Sequence, residues 1–247
     1  MIDEQRSATA VMERTEYPAQ TEVIVLPKRS KVYLLVKRCF DFVSSLCASV
    51  VLLFPMAVLA LIIMIKDPGN PFYVHTRVGQ NGKFMKLVKL RSMRKNADCL
   101  EDMLTPEQLE RYKREYKLDD DPRLIGYKKE GDGKKCFGSF LRRSSLDELP
   151  QIIWNILIKG DMSVVGPRPV LPEELEKNYT PEQQKLFLSV KPGLTGYWQA
   201  YARNDASYKT RKRQQMELYY VEHAGFELDL KIIFDTFGAV LRKQGAK

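Results

Sequence analysis

The stretch Ser44–Lys66, "SSLCASVVLLFPMAVLALIIMIK", decides how the rest of the chain is read. It lies within an uncharged run from Phe42 to Ile65, 24 residues that as a straight helix would extend about 36 Å. That is enough to cross a hydrocarbon core of about 30 Å. Pro55 sits near its centre. A proline inside a helix lacks the N–H that would bond to Val51 and crowds that carbonyl, at a cost of about 3 kcal/mol. The flanks are basic on both sides: Lys28, Arg29, Lys31, Lys37 and Arg38 precede the run. Lys66, Arg77, Lys83, Lys86, Lys89, Arg91, Arg94 and Lys95 follow it, with no acidic residue between Asp67 and Asp98. Positive clusters favour the cytoplasmic side, so a full span would push one of them across. A helix broken at Pro55 that returns to the same face satisfies both clusters. The competing reading is an ordinary span with a tolerated kink.

The run is a poor signal peptide, because it starts some forty residues in and exceeds an h-region of roughly 7–15 residues. The chain has 247 residues, 44% of them hydrophobic and 29% charged, which suits one folded domain plus a membrane element. Its net charge of +9 and pI of about 9.3 point to an anionic partner. Four cysteines without a CxxC pair and only two histidines argue against a disulfide framework and an HExxH metal site. No GxGxxG or Walker A sequence is present, and the basic run Lys209–Gln215 reads more simply as a solvated or lipid-facing surface than as a nucleic-acid reader.

Three parts follow: a mobile tail (residues 1–30), a re-entrant membrane helix (31–66) and a cytoplasmic domain (67–247). The fold class expected is α+β, mainly α, with amphipathic membrane-surface helices and a small β element. Asp67–Pro71 is a breaker cluster. In Lys83–Met93, Val88 and Leu90 alternate with Lys89 and Arg91, as on a half-buried strand. Residues 97–118 read as helical, with Thr105-Pro106-Glu107 as a helix start.

The sharpest local feature is "LRRSSLDELPQ" (Leu141–Gln151). Pro150 is tolerable only in a first turn, so a helix starts near Leu146 to Glu148 and runs to about Ile158. Asp147 and Glu148 then lie at its positive end, near Arg142 and Arg143. Plain capping, with Ser144 or Ser145 three residues before an acid, is the commoner role for such a pattern. An ionised aspartate there can also act as a nucleophile or bind Mg²⁺. Arg168, between Pro167 and Pro169, presents a restrained guanidinium suited to a phosphate, although a proline-rich surface turn is the better explanation on local grounds alone. Tyr197, Trp198 and Tyr201 beside Arg203 suit either a nucleotide or the core.

In order, the chain contains the proline-interrupted apolar segment, "TRVGQNGKFMKLVKLRSM", "DPRL", "LRRSSLDELPQ", "KGDMSVVGPRP", "VKPGLTGYWQAYARN" and "LDLKII". Together they cover roughly residues 37–236. This series resembles the bacterial sugar transferases, the monotopic polyprenyl-phosphate phosphoglycosyltransferases, and above all those of capsule and exopolysaccharide synthesis.

The resemblance implies transfer of a hexose 1-phosphate from a UDP-sugar to undecaprenyl phosphate, with UMP released. Asp147 would be the nucleophile and a Mg²⁺ ligand, with Glu148 as its catalytic neighbour. Arg142, Arg168, Arg203, Lys89 and Arg91 would bind phosphate. The implied setting is the cytoplasmic face of the bacterial inner or plasma membrane, with no nucleic acid and with a homodimer as a further partner to look for. The sugar, galactose, glucose or an N-acetylated sugar, is not legible. The alternative is a non-catalytic scaffold on anionic lipid or polymer. Departures from the family pattern are Phe54 before Pro55, His75 in place of glutamine, Ala202 in place of glycine, and Glu217 in place of aspartate.

Overall fold

A computed structural model of the chain describes residues 26–115, 118–202 and 211–241. Helices dominate, joined by two small two-stranded sheets. The long helix α1 covers Lys31–Lys66 and is long and apolar enough to cross a membrane. It starts on Ser30, whose hydroxyl accepts from the Val32 N–H, and ends where Asp67 turns extended. The break expected at Pro55 does not interrupt it: α1 is one helix with Pro55 inside. A proline removes a single ladder bond, and the apolar residues around this one favour helix on both sides.

One face of α1 looks inward along its length. Asp41, Ser45, Ser49, Leu52, Met56, Leu59 and Ile63 are buried or half-buried, at the 3–4 residue spacing of a single stripe. Val50, Phe54, Leu61 and Ile65 line the opposite face; Phe54 is 77% exposed. A water-facing helix does not carry such a stripe, so this face calls for an apolar medium.

The folded part grips both ends of α1. Near the start, the Tyr33 hydroxyl (2.8 Å) and the Lys37 ammonium (2.7 Å) donate to Asp229. Arg38 donates to the Ile156 carbonyl at 2.9 Å, and Asp41 accepts from the Ser163 hydroxyl at 3.0 Å and the Val164 N–H at 2.9 Å. Near the end, Ile63 is fully buried against Leu90, Ile125 and Leu141, and Asp67 pairs with Arg91.

Strands β1 (Phe72–Val78) and β2 (Phe84–Leu90) form an antiparallel hairpin, with Phe72 opposite Leu90 and Val78 opposite Phe84. Both faces of β2 are covered. Met85 and Leu87 pack with Ile156 and Met162, whereas Leu90 belongs to the Ile63 cluster. The expected one-sided alternation at Val88 and Leu90 is therefore replaced by burial on two faces.

After the single turn α2 (Leu100–Met103) comes α3 (Pro106–Glu115), started by Thr105, whose hydroxyl accepts from the Gln108 N–H. Helix α4 (Phe137–Arg143) leads into a helical stretch that changes form twice. It is a 3₁₀ turn at Leu146–Glu148, the α-turn α5 at Leu149–Gln151, and a π-helix at Ile152–Lys159.

The short strands β3 (Ser163–Val165) and β4 (Gly193–Thr195) pair in parallel. They approach so closely that a Cβ on Gly193 would run into the Gly166 backbone, which accounts for two glycines of the "VVGPRP" and "KPGLTG" motifs. Helices α6 (Pro172–Asn178), α7 (Pro181–Phe187), α8 (Tyr197–Tyr201), α9 (Lys212–His223) and α10 (Phe226–Leu241) close the domain. Its largest core gathers Val165, Leu186, Met216, Tyr220 and Ile232.

Candidate active site

Alternation along β2 places Met85, Leu87 and Lys89 on one face. The first two pack on the π-helix, so Lys89 is aimed at the turn preceding that helix. Its ammonium meets Glu148 Oε1 at 2.8 Å. The turn is set by Ser145, which stands at φ 57°, in the left-handed region. The serines do not cap it: Ser145 makes no side-chain cap bond. Ser144 turns its hydroxyl back to the Phe140 and Leu141 carbonyls. The capping box expected from spacing is thus absent, because Ser145 leaves the extended conformation that a cap requires.

The two acids have separate surroundings. Glu148 is half-buried against Lys89, whereas Asp147 is only 7% exposed. Burial pushes the Asp147 carboxyl up from the ordinary 3.8 to about 6, and the Glu148 charge adds to the rise. Lys89, and less strongly Arg142 at the end of α4, pull it down. At neutral pH the group is still ionised, yet more basic than a solvated carboxylate.

The remaining candidates fall elsewhere. Arg91 is held by the turn after α1, donating to the Asp67 carboxylate, the Asp67 carbonyl and the Asn70 carbonyl. Arg168 belongs to a second cluster. Its backbone N–H is shared between both Glu217 carboxylate oxygens, each at 3.3 Å. Its guanidinium lies 5.9 Å from the Trp198 ring centre, and that of Arg213 lies 4.3 Å from the same centre. Glu217 is buried, and its carboxyl is pushed up to about 7 by that burial, against the lowering effect of Arg213 and the Arg168 N–H. Arg203 lies outside the described residues. Tyr197 and Tyr201 are packing residues: Tyr197 is buried against the Tyr201 and Tyr219 rings, and Tyr201 donates to Asp235.

Sequence reading missed the partnership of Lys89 with Glu148, and it missed Arg213. A helical spacing of four puts Arg213 on the face of Glu217, a signal that was available.

The model of the bacterial sugar transferase family matches residues 32–243. The chain belongs to this family. Over 224 residues it is 40% identical to a UDP-galactose-lipid carrier transferase of Erwinia amylovora, covering 90% of this chain and 43% of the relative. An undecaprenyl-phosphate galactose phosphotransferase of Salmonella typhimurium is 38% identical with the same coverage. An exopolysaccharide production protein ExoY of Sinorhizobium fredii is 39% identical, covering 85% of this chain and 87% of that protein. The chain thus spans less than half of the first two relatives and most of the third. Membership in the family supports the transferase class expected from the motifs.

Proposed function

We propose that the chain moves a hexose 1-phosphate from a UDP-sugar onto a polyprenyl phosphate, undecaprenyl phosphate in most bacteria, as an early membrane step of exopolysaccharide or capsule synthesis. The observation that carries this is Asp147, a buried carboxylate of raised basicity beside the Lys89–Glu148 pair and within the field of Arg142.

In the first step an Asp147 oxygen attacks the sugar-proximal phosphorus. The bond from that phosphorus to the bridging oxygen breaks, and UMP leaves with the oxygen and its electron pair. In the second step a phosphate oxygen of the lipid attacks the same phosphorus, the bond to Asp147 breaks, and the carboxylate is restored. Burial suits Asp147 to this role, because nucleophilicity rises with basicity while the group stays ionised near pH 7. Lys89 and Arg142 offset the charge gathered at phosphorus. Glu148 holds Lys89 in place and is the group able to accept a proton from the incoming lipid phosphate. Arg168, on its loop held by Glu217, and Arg203 are assigned to the diphosphate and nucleotide.

Among the described residues no three His, Cys, Asp or Glu side chains converge on one point. Asp147 with Glu148 is instead a donor set for Mg²⁺ shared with substrate phosphates, which needs only one or two carboxylates. Asp147 would hold the ion, which would supply charge neutralisation on the diphosphate.

We place both ends of α1 on the cytoplasmic face. Support comes from the grip of one domain on Lys37 and Asp41 at one end and Ile63 and Asp67 at the other. The outward apolar stripe would then lie in the leaflet that contains the lipid phosphate. The test is a UDP-sugar panel with undecaprenyl phosphate in detergent or membranes. UMP should be released with at least one hexose donor, and Asp147→Asn should release none. Full UMP release by that variant would end this reading.

A further inference from the structure

Asn155 is a fully buried polar residue in a π-helix, "IIWNILIK", that is otherwise apolar up to its terminal Lys159. Its side-chain amide donates to the Lys86 carbonyl at 2.9 Å and accepts from the Val88 N–H at 3.3 Å. Lys86 and Val88 are two residues apart on β2, so these groups lie on the same strand edge. Among the described residues the sheet has two strands, so that edge is the one β1 leaves open. The amide of Asn155 therefore takes the place of one residue of a third strand. It also donates to Asp161 Oδ1 at 3.1 Å. Its backbone carbonyl collects the N–H groups of Gly160, Asp161 and Met162, which fixes the end of the π-helix.

The consequence lies in what each partner carries. Lys89 is the residue after Val88. The π-helix is continuous with the turn that carries Asp147 and Glu148. Packing of Met85 and Leu87 on Ile156 is non-directional and permits sliding, whereas two opposed hydrogen bonds to one strand edge do not. We propose that Asn155 is a positioning residue, which sets the β2 strand against the Asp147–Glu148 helix so that Lys89 meets Glu148 beside the nucleophile. This inference rests on the proposed roles of Asp147, Glu148 and Lys89.

The experiment is steady-state UMP release in the full chain, reconstituted with undecaprenyl phosphate and the best UDP-sugar, for Asn155→Ala, Asn155→Asp, Lys89→Met and the double variant Asn155→Ala/Lys89→Met. Asn155→Asp is the second variant should the alanine protein fail to accumulate. It keeps an acceptor for the Val88 N–H and loses the donor to Lys86 and Asp161. Displacement of a catalytic group by about 1 Å costs on the order of 10²-fold in rate. Either Asn155 variant should therefore lose about 10–10²-fold in kcat, with KM for the UDP-sugar changed by less than about threefold. The double variant should fall little below Lys89→Met alone, because both changes act through one group. Asp161→Asn leaves both bonds to β2 intact and should keep kcat within about threefold of wild type.

Losses that multiply in the double variant would overturn the proposal, as would an Asn155 variant with unchanged kcat. An Asp161→Asn protein as slow as Asn155→Ala would also overturn it, by moving the effect to the helix end. A wild-type protein that releases no UMP from any donor would instead refute the proposed function. The two failures are therefore separable.

Discussion

Replacing Asp147 by asparagine should abolish turnover and at the same time stabilise the fold. Burial holds the Asp147 carboxyl at about 6, against 3.8 in an ordinary setting. The folded chain therefore binds this proton more tightly than the unfolded chain. Protonation favours folding below pH 4, and the benefit disappears as pH rises through the interval from about 4 to about 6. Above that interval the ionised, buried carboxylate costs about 3 kcal/mol at 1.36 kcal/mol per pH unit. Asparagine keeps the shape and removes the charge, and Lys89 retains Glu148 as a partner at 2.8 Å. Linkage gives asparagine an advantage of about 1–2 kcal/mol at pH 5 and about 3 kcal/mol at pH 8. For a chain of this size that is an increase of roughly 6–12 °C in Tm at pH 8 and about half of it at pH 5. Thermal denaturation of both proteins in the same detergent at the two pH values measures this. An asparagine variant no more stable than wild type, or one whose advantage does not grow with pH, would refute the burial argument.

Four further outcomes follow from the same geometry. In wild type, kcat/KM for the UDP-sugar should rise with pH through about 6 as Asp147 ionises. Lys89→Met removes the strongest charge opposing that shift, so the acid limb of its pH–rate profile should move to higher pH while the maximum rate falls. Gly193→Ala should lower Tm by several degrees or prevent accumulation, because its Cβ would occupy the Gly166 backbone between β3 and β4. Pro55→Leu should leave both ends of α1 accessible to a cytoplasmic thiol reagent in single-cysteine variants, since the contacts of Asp41 and Ile63 remain. Labelling of the N-terminal end from outside in wild type would contradict the topology.

Much of this architecture was legible where chemistry is local. The uncharged run fixed α1, Thr105-Pro106 marked the start of α3, and the alternating segment marked β2. Spacing was misleading where backbone conformation decides. Ser145 had the sequence of a cap, but its left-handed φ rules the cap out. Pro55 had the sequence of a break, yet losing one hydrogen bond did not end the helix. The pairing of Lys89 with Glu148 joins residues 59 positions apart and leaves no local trace. Arg91 looked like a phosphate ligand beside Lys89, but it stands just past the end of β2, where the turn at Asp67 and Asn70 holds it. The folded-state surroundings of Asp147, which give it its basicity, are likewise a property of packing.

The central claim is a covalent phosphosugar on Asp147, and the most direct measurement is a single turnover without lipid acceptor. The chain is mixed with an equimolar UDP-sugar, quenched, digested and analysed by mass spectrometry. The account predicts UMP release of up to one equivalent. It also predicts a hexose phosphate mass on the peptide containing Asp147, lost on addition of undecaprenyl phosphate and absent from Asp147→Asn. UMP that forms only when the lipid phosphate is present, with no mass added at Asp147, would contradict it.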